Sequence, residues 1–437
     1  MMTQHFRMSI GIAAAVLLAV ACGCAGTDQA NEETQGPTRA QQPDFVEMDL
    51  AAADGDVRTV QLYPSGREGE LPFVELNSDE TLTLEFDIVS EQARPLSVYF
   101  YHADRIWRRD LSPSEYLESF QHDDVSDYSI SSGTQVPYVH YDYVFPNRDI
   151  RFLISGNYIV RVAEQGDEEA VLFERAFFVT EQSAGLEFMT DMVIVGGLGY
   201  PSTQPIAFIR PPSGIQGNVF DYNVCFVRNG RFDMARCSNR PSLMNQPELQ
   251  FYLEPEYSFE PEGAPYFLDL SDLRSSISIA ASDFVQSPFR IYLEPDYARF
   301  GGTGFSRLLT GQTVVSAAVQ MADADIRAEY VLTKFAYVPP GERRLDGEVL
   351  LTGSFNDWRY DPANSLTWIP EEGRYEVDVL VKQGQYEYRY ITRDRRTVGS
   401  LRGNMPRSEN QYAAMVYYDD ISLSTDRLIA VRQVLSP

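Results

Sequence analysis

The chain has 437 residues, 44% hydrophobic and 12% aromatic, and carries a formal charge of −27. That length exceeds one ordinary core and points to several domains. The acidic balance leaves no basic footprint for nucleic acid and disfavours adhesion to an anionic membrane surface. Lys334 and Lys382 are the two lysines, the remaining cations being Arg. An acidic, lysine-poor chain fits adaptation to high salt or an Arg-favouring, GC-rich genome.

Residues 10–20 form a short apolar run behind Arg7 and lead into Ala21-Cys22-Gly23-Cys24. The run is too short to span a bilayer and reads as the apolar segment of a signal peptide over residues 1–24. The small residues before each cysteine resemble a bacterial lipobox, which makes Cys22 or Cys24 the candidate lipidated residue; plain secretion is the alternative. Residues 25–44 are polar and aperiodic, too poor in apolar surface to fold, and are expected to form a tether reaching on the order of 25 Å.

In the first folded domain, expected over 45–182, strands are predicted at 57–63, 97–101, 139–145, 158–162 and 173–179. Leu82, Leu84, Phe86 and Ile88 alternate with Thr81, Thr83, Glu85 and Asp87, the mark of a half-buried strand. Short strands separated by turn clusters predict a β-sandwich. Ser112-Pro113-Ser114-Glu115 is a capping box with proline at the first helical position and predicts one brief helix running through Phe120.

A middle β domain is expected over 183–338, with strands at 193–197, 224–228, 249–253, 289–293 and 328–335. Cys225 and Cys237 flank an Asn229-Gly230 hairpin turn. A regular ladder sets Arg228 opposite Arg231 and Cys225 opposite Met234. A disulfide therefore requires the second strand to bend back after Met234, and two separate thiols are the other outcome. Residues 252–257 recur almost identically at 292–297, both reading as strand ends broken by proline. Pro339-Pro340 is expected to close this domain.

The last domain, expected over 339–437, holds the most recognisable segment, Gly353-Ser354-Phe355-Asn356-Asp357-Trp358. Tyr375, Val377 and Val379 alternate with Arg374, Glu376 and Asp378; Tyr386, Tyr388 and Tyr390 alternate with Glu387 and Arg389. Both runs predict strands with one wet face. Phe355 and Trp358 are expected to pin a turn against the core, with Asn356 holding the loop. The alternative is that Trp358 and Trp368 stack on sugar rings in a carbohydrate-binding lipoprotein.

Little in the chain reads as chemistry. His102, His122 and His140 are far apart, and no H-E-x-x-H, G-x-S-x-G, P-loop or dinucleotide glycine pattern occurs. His102 and His140 fall in strand-like runs and read as satisfied structural side chains. His122-Asp123-Asp124 could hold a cation, but reads as a solvated loop end. The expectation is a non-enzyme with no catalytic residue, metal or cofactor.

A resemblance runs through the chain beyond the tether. It begins at residues 58–64, then takes in His102, Asp104, Trp107, Leu111, Pro113, Tyr116, Asp127-Tyr128, Phe145-Pro146-Asn147 and Ser155-Gly156-Asn157-Tyr158. It continues with Gly353, Phe355, Asn356, Trp358, Tyr390, Asn410, Tyr412, Tyr417, Asp426 and Arg427. In this order the segments resemble the type IX secretion system plug protein family of Bacteroidota, with a C-terminal part similar to early-set immunoglobulin-like domains. The resemblance implies an all-β protein of serial β-sandwich domains, the last immunoglobulin-like. It implies a non-enzymatic plug that closes the periplasmic opening of the outer-membrane translocon barrel when the barrel is not engaged with cargo or partner. The motif residues would then be structural or interface residues. With the lipobox-like cysteines, which the resemblance itself does not imply, the chain is expected to be a periplasmic lipoprotein held to the outer membrane by its N-terminal lipid.

Overall fold

The computed structural model describes residues 42–53, 55–195, 201–214, 218–242, 248–298, 309, 311–317, 323–392 and 409–436. The expected signal peptide, Cys22, Cys24 and nearly all of the tether lie outside them. The end of the expected tether is described, and Asp44 is already in a strand: Asp44–Phe45 pairs antiparallel with Arg236–Ser238.

The described chain is almost entirely β, with two four-residue helices. In the first lobe, Val57–Pro64, Leu82–Ile88, Val139–Phe145 and Asp127–Ile130 form one sheet. Phe73–Glu75, Val171–Thr180, Gly156–Glu164, Leu96–Ala103 and His122–Val125 form the other. The strands at 82–88 and 139–145 fall where the alternation places them. Leu82, Leu84, Phe86 and Ile88 meet Val98, Phe100, Tyr158 and Phe177 across the sandwich. The helix is shorter than the capping box suggests and spans Pro113–Tyr116. Ser112 N donates to Glu115 Oε2 at 2.8 Å, but Leu117 turns extended and bridges Phe152, because that places its side chain in the core.

The remaining sheets cut across the limit expected at 338/339, whereas only the two-residue strand Asp44–Phe45 crosses the one at 182/183. One sandwich pairs the sheet of Gly185–Ile194, Pro201–Arg210 and Leu249–Tyr252 with a five-stranded sheet. The latter contains Tyr222–Arg228 and, from the far end of the chain, Asn410–Asp420 and Thr425–Ser436. The other sandwich is built from strands between Tyr266–Asp269 and Gly384–Thr392 and keeps Tyr330–Val338 and Arg374–Lys382 side by side in one sheet. Pro339-Pro340 therefore lies inside a sandwich; Pro340–Glu342 is a 3-10 turn. The reason is two-faced burial. Val224 and Phe226 with Tyr412, Ala414 and Val416 fill the core of one sandwich. Cys225 and Val227 with Ala413, Met415 and Tyr417 pack on Phe178 of the first lobe. Strands apolar on both parities need cover on both faces, and only a central position supplies it.

The 252–257 and 292–297 segments both leave their strands before the proline. The first enters the 3-10 turn Pro255–Tyr257 and the second the short strand Asp296–Tyr297. The described residues form one compact unit.

Candidate functional site

The residues that carry the sequence resemblance are not gathered into one pocket. They fall mainly at two polar junctions, and a third junction holds none of them.

The first joins the 102–116 segment to the C-terminal hairpin. Asp104 Oδ1 accepts from the N–H groups of Ile106 (3.0 Å) and Arg108 (2.9 Å), folding a tight loop in which Trp107 takes φ 69° and packs edge-on against Phe178. That loop seats Asp426, which accepts from Arg105 N at 3.1 Å and Arg105 Nη1 at 3.0 Å. Burial raises the Asp426 carboxyl against the pull of Arg105. Arg427 grips both oxygens of Glu181 at 2.8 Å each, and Tyr417 donates to Asn157 Oδ1 at 2.6 Å. His102 is fully buried; Nδ1 meets Asp110 Oδ1 at 2.8 Å, and Thr425 bonds the other oxygen of Asp110. Gly156 is fixed by this packing: at φ 151°, a Cβ there would stand 2.3 Å from His102 Nε2. Tyr116 donates to Phe100 O, Pro113 opens the helix and Leu111 packs on the first core.

The second junction holds the G-S-F-N-D-W loop. Asn356 Oδ1 accepts from Gly353 N at 2.9 Å, and Trp358 N donates to Gly353 O at 2.9 Å. Phe355 packs on Phe335 and Tyr386. Gly353 is extended, so close approach rather than φ demands it: a Cβ would stand 2.6 Å from Glu387 O. Trp358 is half-buried, donates Nε1–H to Gly311 O at 2.8 Å, and has Arg389 over its ring. Trp368 is half-buried against Tyr375. The face of Glu387 and Arg389, read from the sequence as wet, is buried. Glu387 accepts from the N–H groups of Leu309 and Gly311. Arg389 and Arg228 grip Glu262, the latter at 3.0 Å. Burial opposes charge on Glu262, but Arg389, Arg228 and Arg231 outweigh it and hold the carboxyl at about 2. Tyr390 donates to Asp296, Asn410 accepts from Asn229, and Tyr412 is buried against Phe259.

Beside this loop, a cleft of about 740 Å³ opens between it and the strand Val57–Pro64. Arg175 crosses to Asp357 at 2.5 Å, and Arg359 donates to Leu50 O.

The third junction was not legible in the sequence. Asp87, 1% exposed, accepts from Lys382 Nζ (2.6 Å), Tyr330 Oη (2.7 Å) and His140 Nδ1 (2.8 Å). Glu329 accepts from the N–H groups of Gln135 and Val136, and Tyr138 donates to Ala328 O. Burial opposes charge on His140, but Asp142 and Asp87 outweigh it and raise the ring to about 9. The only signal in the sequence was the placement of one of two lysines in a strand. At the solvated edge, Asp123 accepts from Tyr143 and Asp124 from Ser97, while His122 is exposed and stacks on Tyr99.

Cys225 and Cys237 lie directly opposite each other and their sulfurs are bonded. The Asn229-Gly230 turn closes with Arg231 N on Arg228 O. The 3-10 turn Phe232–Met234 then takes up three residues, so the strand Arg236–Ser238 returns in a shifted register.

These features define a class: a nearly all-β protein of packed sandwiches whose lobes are joined by buried polar junctions. Within it, residues 57–181 match the family model described as the type 9 secretion system plug protein 1st domain. No curated protein matches the chain. A crystal structure of a hypothetical protein from Parabacteroides merdae shares the fold, with a TM-score of 0.80 at 22% identity over 90% of this chain and 100% of that one.

Proposed function

We propose that the protein is a non-enzymatic plug component of the type IX secretion system. In this reading it closes the periplasmic opening of the outer-membrane translocon barrel when neither cargo nor partner occupies it. The match over residues 57–181 carries the reading and supports a role associated with that secretion system. The junctions add to it: Tyr417, Asp426 and Arg427, outside the matched region, fasten the C-terminal hairpin to the matched lobe. A stopper must resist deformation, and buried hydrogen-bonded junctions between lobes give that stiffness. The final sandwich is proposed to be of the immunoglobulin-like, early-set kind. An acyl chain on Cys22 or Cys24 would hold the protein in the periplasm at the outer membrane and raise its local concentration at the pore.

Crosslinking in intact cells and pull-down from outer membranes should recover a translocon barrel, and a deletion strain should leak large antibiotics. Recovery of no barrel together with unchanged permeability would sink the proposal. Palmitate labelling should persist in one of Cys22→Ala and Cys24→Ala and vanish in the other. The sugar-binding alternative gains nothing from the tryptophans, because Trp358 is held by Gly311 and Arg389 and Trp368 by Tyr375.

A further inference from the structure

Four side chains form a square on the face of the first lobe that turns away from its apolar core. Glu85 stands opposite Asp142 and Asp87 opposite His140 across the antiparallel pair Leu82–Ile88 and Val139–Phe145. The two-residue period turns all four to the same side. Among the described residues, the ligating atoms of Glu85, His140 and Asp142 all lie within 4.8 Å of one another.

His140 supplies a separate observation. The residue is 6% exposed, and Asp87 holds its Nδ1 at 2.8 Å. Its Nε2 is buried and makes no hydrogen bond, while Asp142 Oδ2 stands 3.5 Å away. Nε2 is thus paired with Asp142 only as a loose ion pair, and a metal ion taking the place of the ring proton would satisfy the buried nitrogen and the carboxylates together. Asp87 is itself fixed by Lys382 and Tyr330. A carboxylate behind the imidazole, with the other ring nitrogen turned to acidic ligands, is the support that metal-binding histidines receive: it sets the tautomer and the ring plane.

We propose that Glu85, His140 and Asp142 bind one divalent transition-metal ion, with Asp87 as the positioning residue behind His140. The imidazole favours zinc and its neighbours over calcium or magnesium, which take oxygen donors. Three protein ligands leave a position for water. Two of the three ligands are acidic and add negative charge beside Asp87, which the ion would offset. Because the set forms only when the two strands pair, the ion stabilises the folded protein where the first lobe meets the sandwich carrying Lys382. The sequence shows no such site because its ligands come from two strands more than fifty residues apart.

The test uses the full chain, stripped with chelator and titrated with Zn²⁺ by calorimetry and with Co²⁺ by visible absorption. The expected result is one ion per chain, a Co²⁺ spectrum without thiolate charge-transfer bands, and a thermal midpoint that rises with Zn²⁺. Asp142→Asn and Glu85→Gln should each weaken binding by at least about tenfold. Asp142 is 42% exposed, so its substitution should spare the fold. His122→Ala should leave affinity unchanged. No stoichiometric binding, affinity unaltered in both ligand variants, thiolate bands, or loss of binding in His122→Ala would overturn the assignment.

Discussion

At the scale of single residues, Asp87 shows how a buried charge is tolerated. Its carboxylate receives an ammonium, a phenol and an imidazole, three donors for a group 1% exposed. Removing one partner of a buried ion pair costs about 3–5 kcal/mol, because the other charge is left uncompensated. Lys382→Met should therefore lower the unfolding free energy by about 3 kcal/mol in urea titrations; a loss below about 1 kcal/mol would show that Tyr330 and His140 suffice. Gly353 makes the complementary case. A Cβ there meets Glu387 O at 2.6 Å and Tyr388 Cβ at 2.8 Å, atoms that cannot swing aside. Gly353→Ala should cost roughly 1–3 kcal/mol by overpacking, read as a lower urea midpoint at unchanged slope. An unaltered midpoint would mean that the loop can shift.

At the scale of elements, two pieces of local chemistry behaved differently. The Asn229-Gly230 turn formed where its sequence placed it, because two adjacent residues tolerant of positive φ are a local property. The strand after the turn obeys long-range packing instead: Phe232 is drawn into the cluster with Phe73 and Phe178, the 3-10 turn forms, and Cys237 arrives opposite Cys225. The bridge closes a loop of about a dozen residues, worth about 3 kcal/mol in the chain-entropy account. Under denaturing conditions, thiol titration should find Cys225 and Cys237 unreactive until reductant is added, and Cys225→Ser/Cys237→Ser should unfold at lower urea. Two freely reactive thiols in the untreated protein would contradict the bond. The C-terminal hairpin is the other telling element. Asn410–Asp420 pairs with Tyr222–Arg228 along seven residues, and Tyr412, Val416, Tyr417, Leu428 and Ile429 fill two cores. A chain ending at residue 409 should lose the middle sandwich, seen as rapid proteolysis of residues 185–252 and loss of near-ultraviolet dichroism. A protease-resistant truncated chain would refute this.

At the scale of the whole molecule, the junction charges predict an acid response. Glu262 lies among Arg389, Arg228 and Arg231, which hold its carboxyl at about 2 against an ordinary value of 4.5. Its folded value is depressed, so the unfolded chain binds the proton more tightly. The contribution is then fully present above about pH 4.5 and is lost as pH falls toward about 2. Glu262→Gln should be less stable than the parent at neutral pH, and the gap should shrink on acidification between about pH 4.5 and pH 2. A gap constant across that range would show that the carboxylate gains nothing from its guanidinium neighbours.

Much of the fold was open to reading from residues alone. The alternation of Leu82, Leu84, Phe86 and Ile88 and the tyrosines at 386, 388 and 390 gave strands and core faces correctly, since a period of two is a property of the backbone. So was the role of Asn356, whose side chain bonds its own loop. The opposite faces were read as wet, and there the reading failed: Asp87, Glu387 and Arg389 are polar yet buried, because another lobe covers them. Alternation reports which residues share a face, but not what that face meets. Sheet membership is likewise decided by contacts hundreds of residues apart, as when the strand at 410–420 joins the one at 222–228. The sequence by itself determined the strongly alternating strands with their inward faces, the Asn229-Gly230 turn and the order of the motif residues. Only the tertiary structure decided which strands share a sheet, which polar faces are sealed, and that Tyr417, Asp426 and Arg427 fasten the C-terminal hairpin to the first lobe, because these depend on long-range burial that no local pattern encodes.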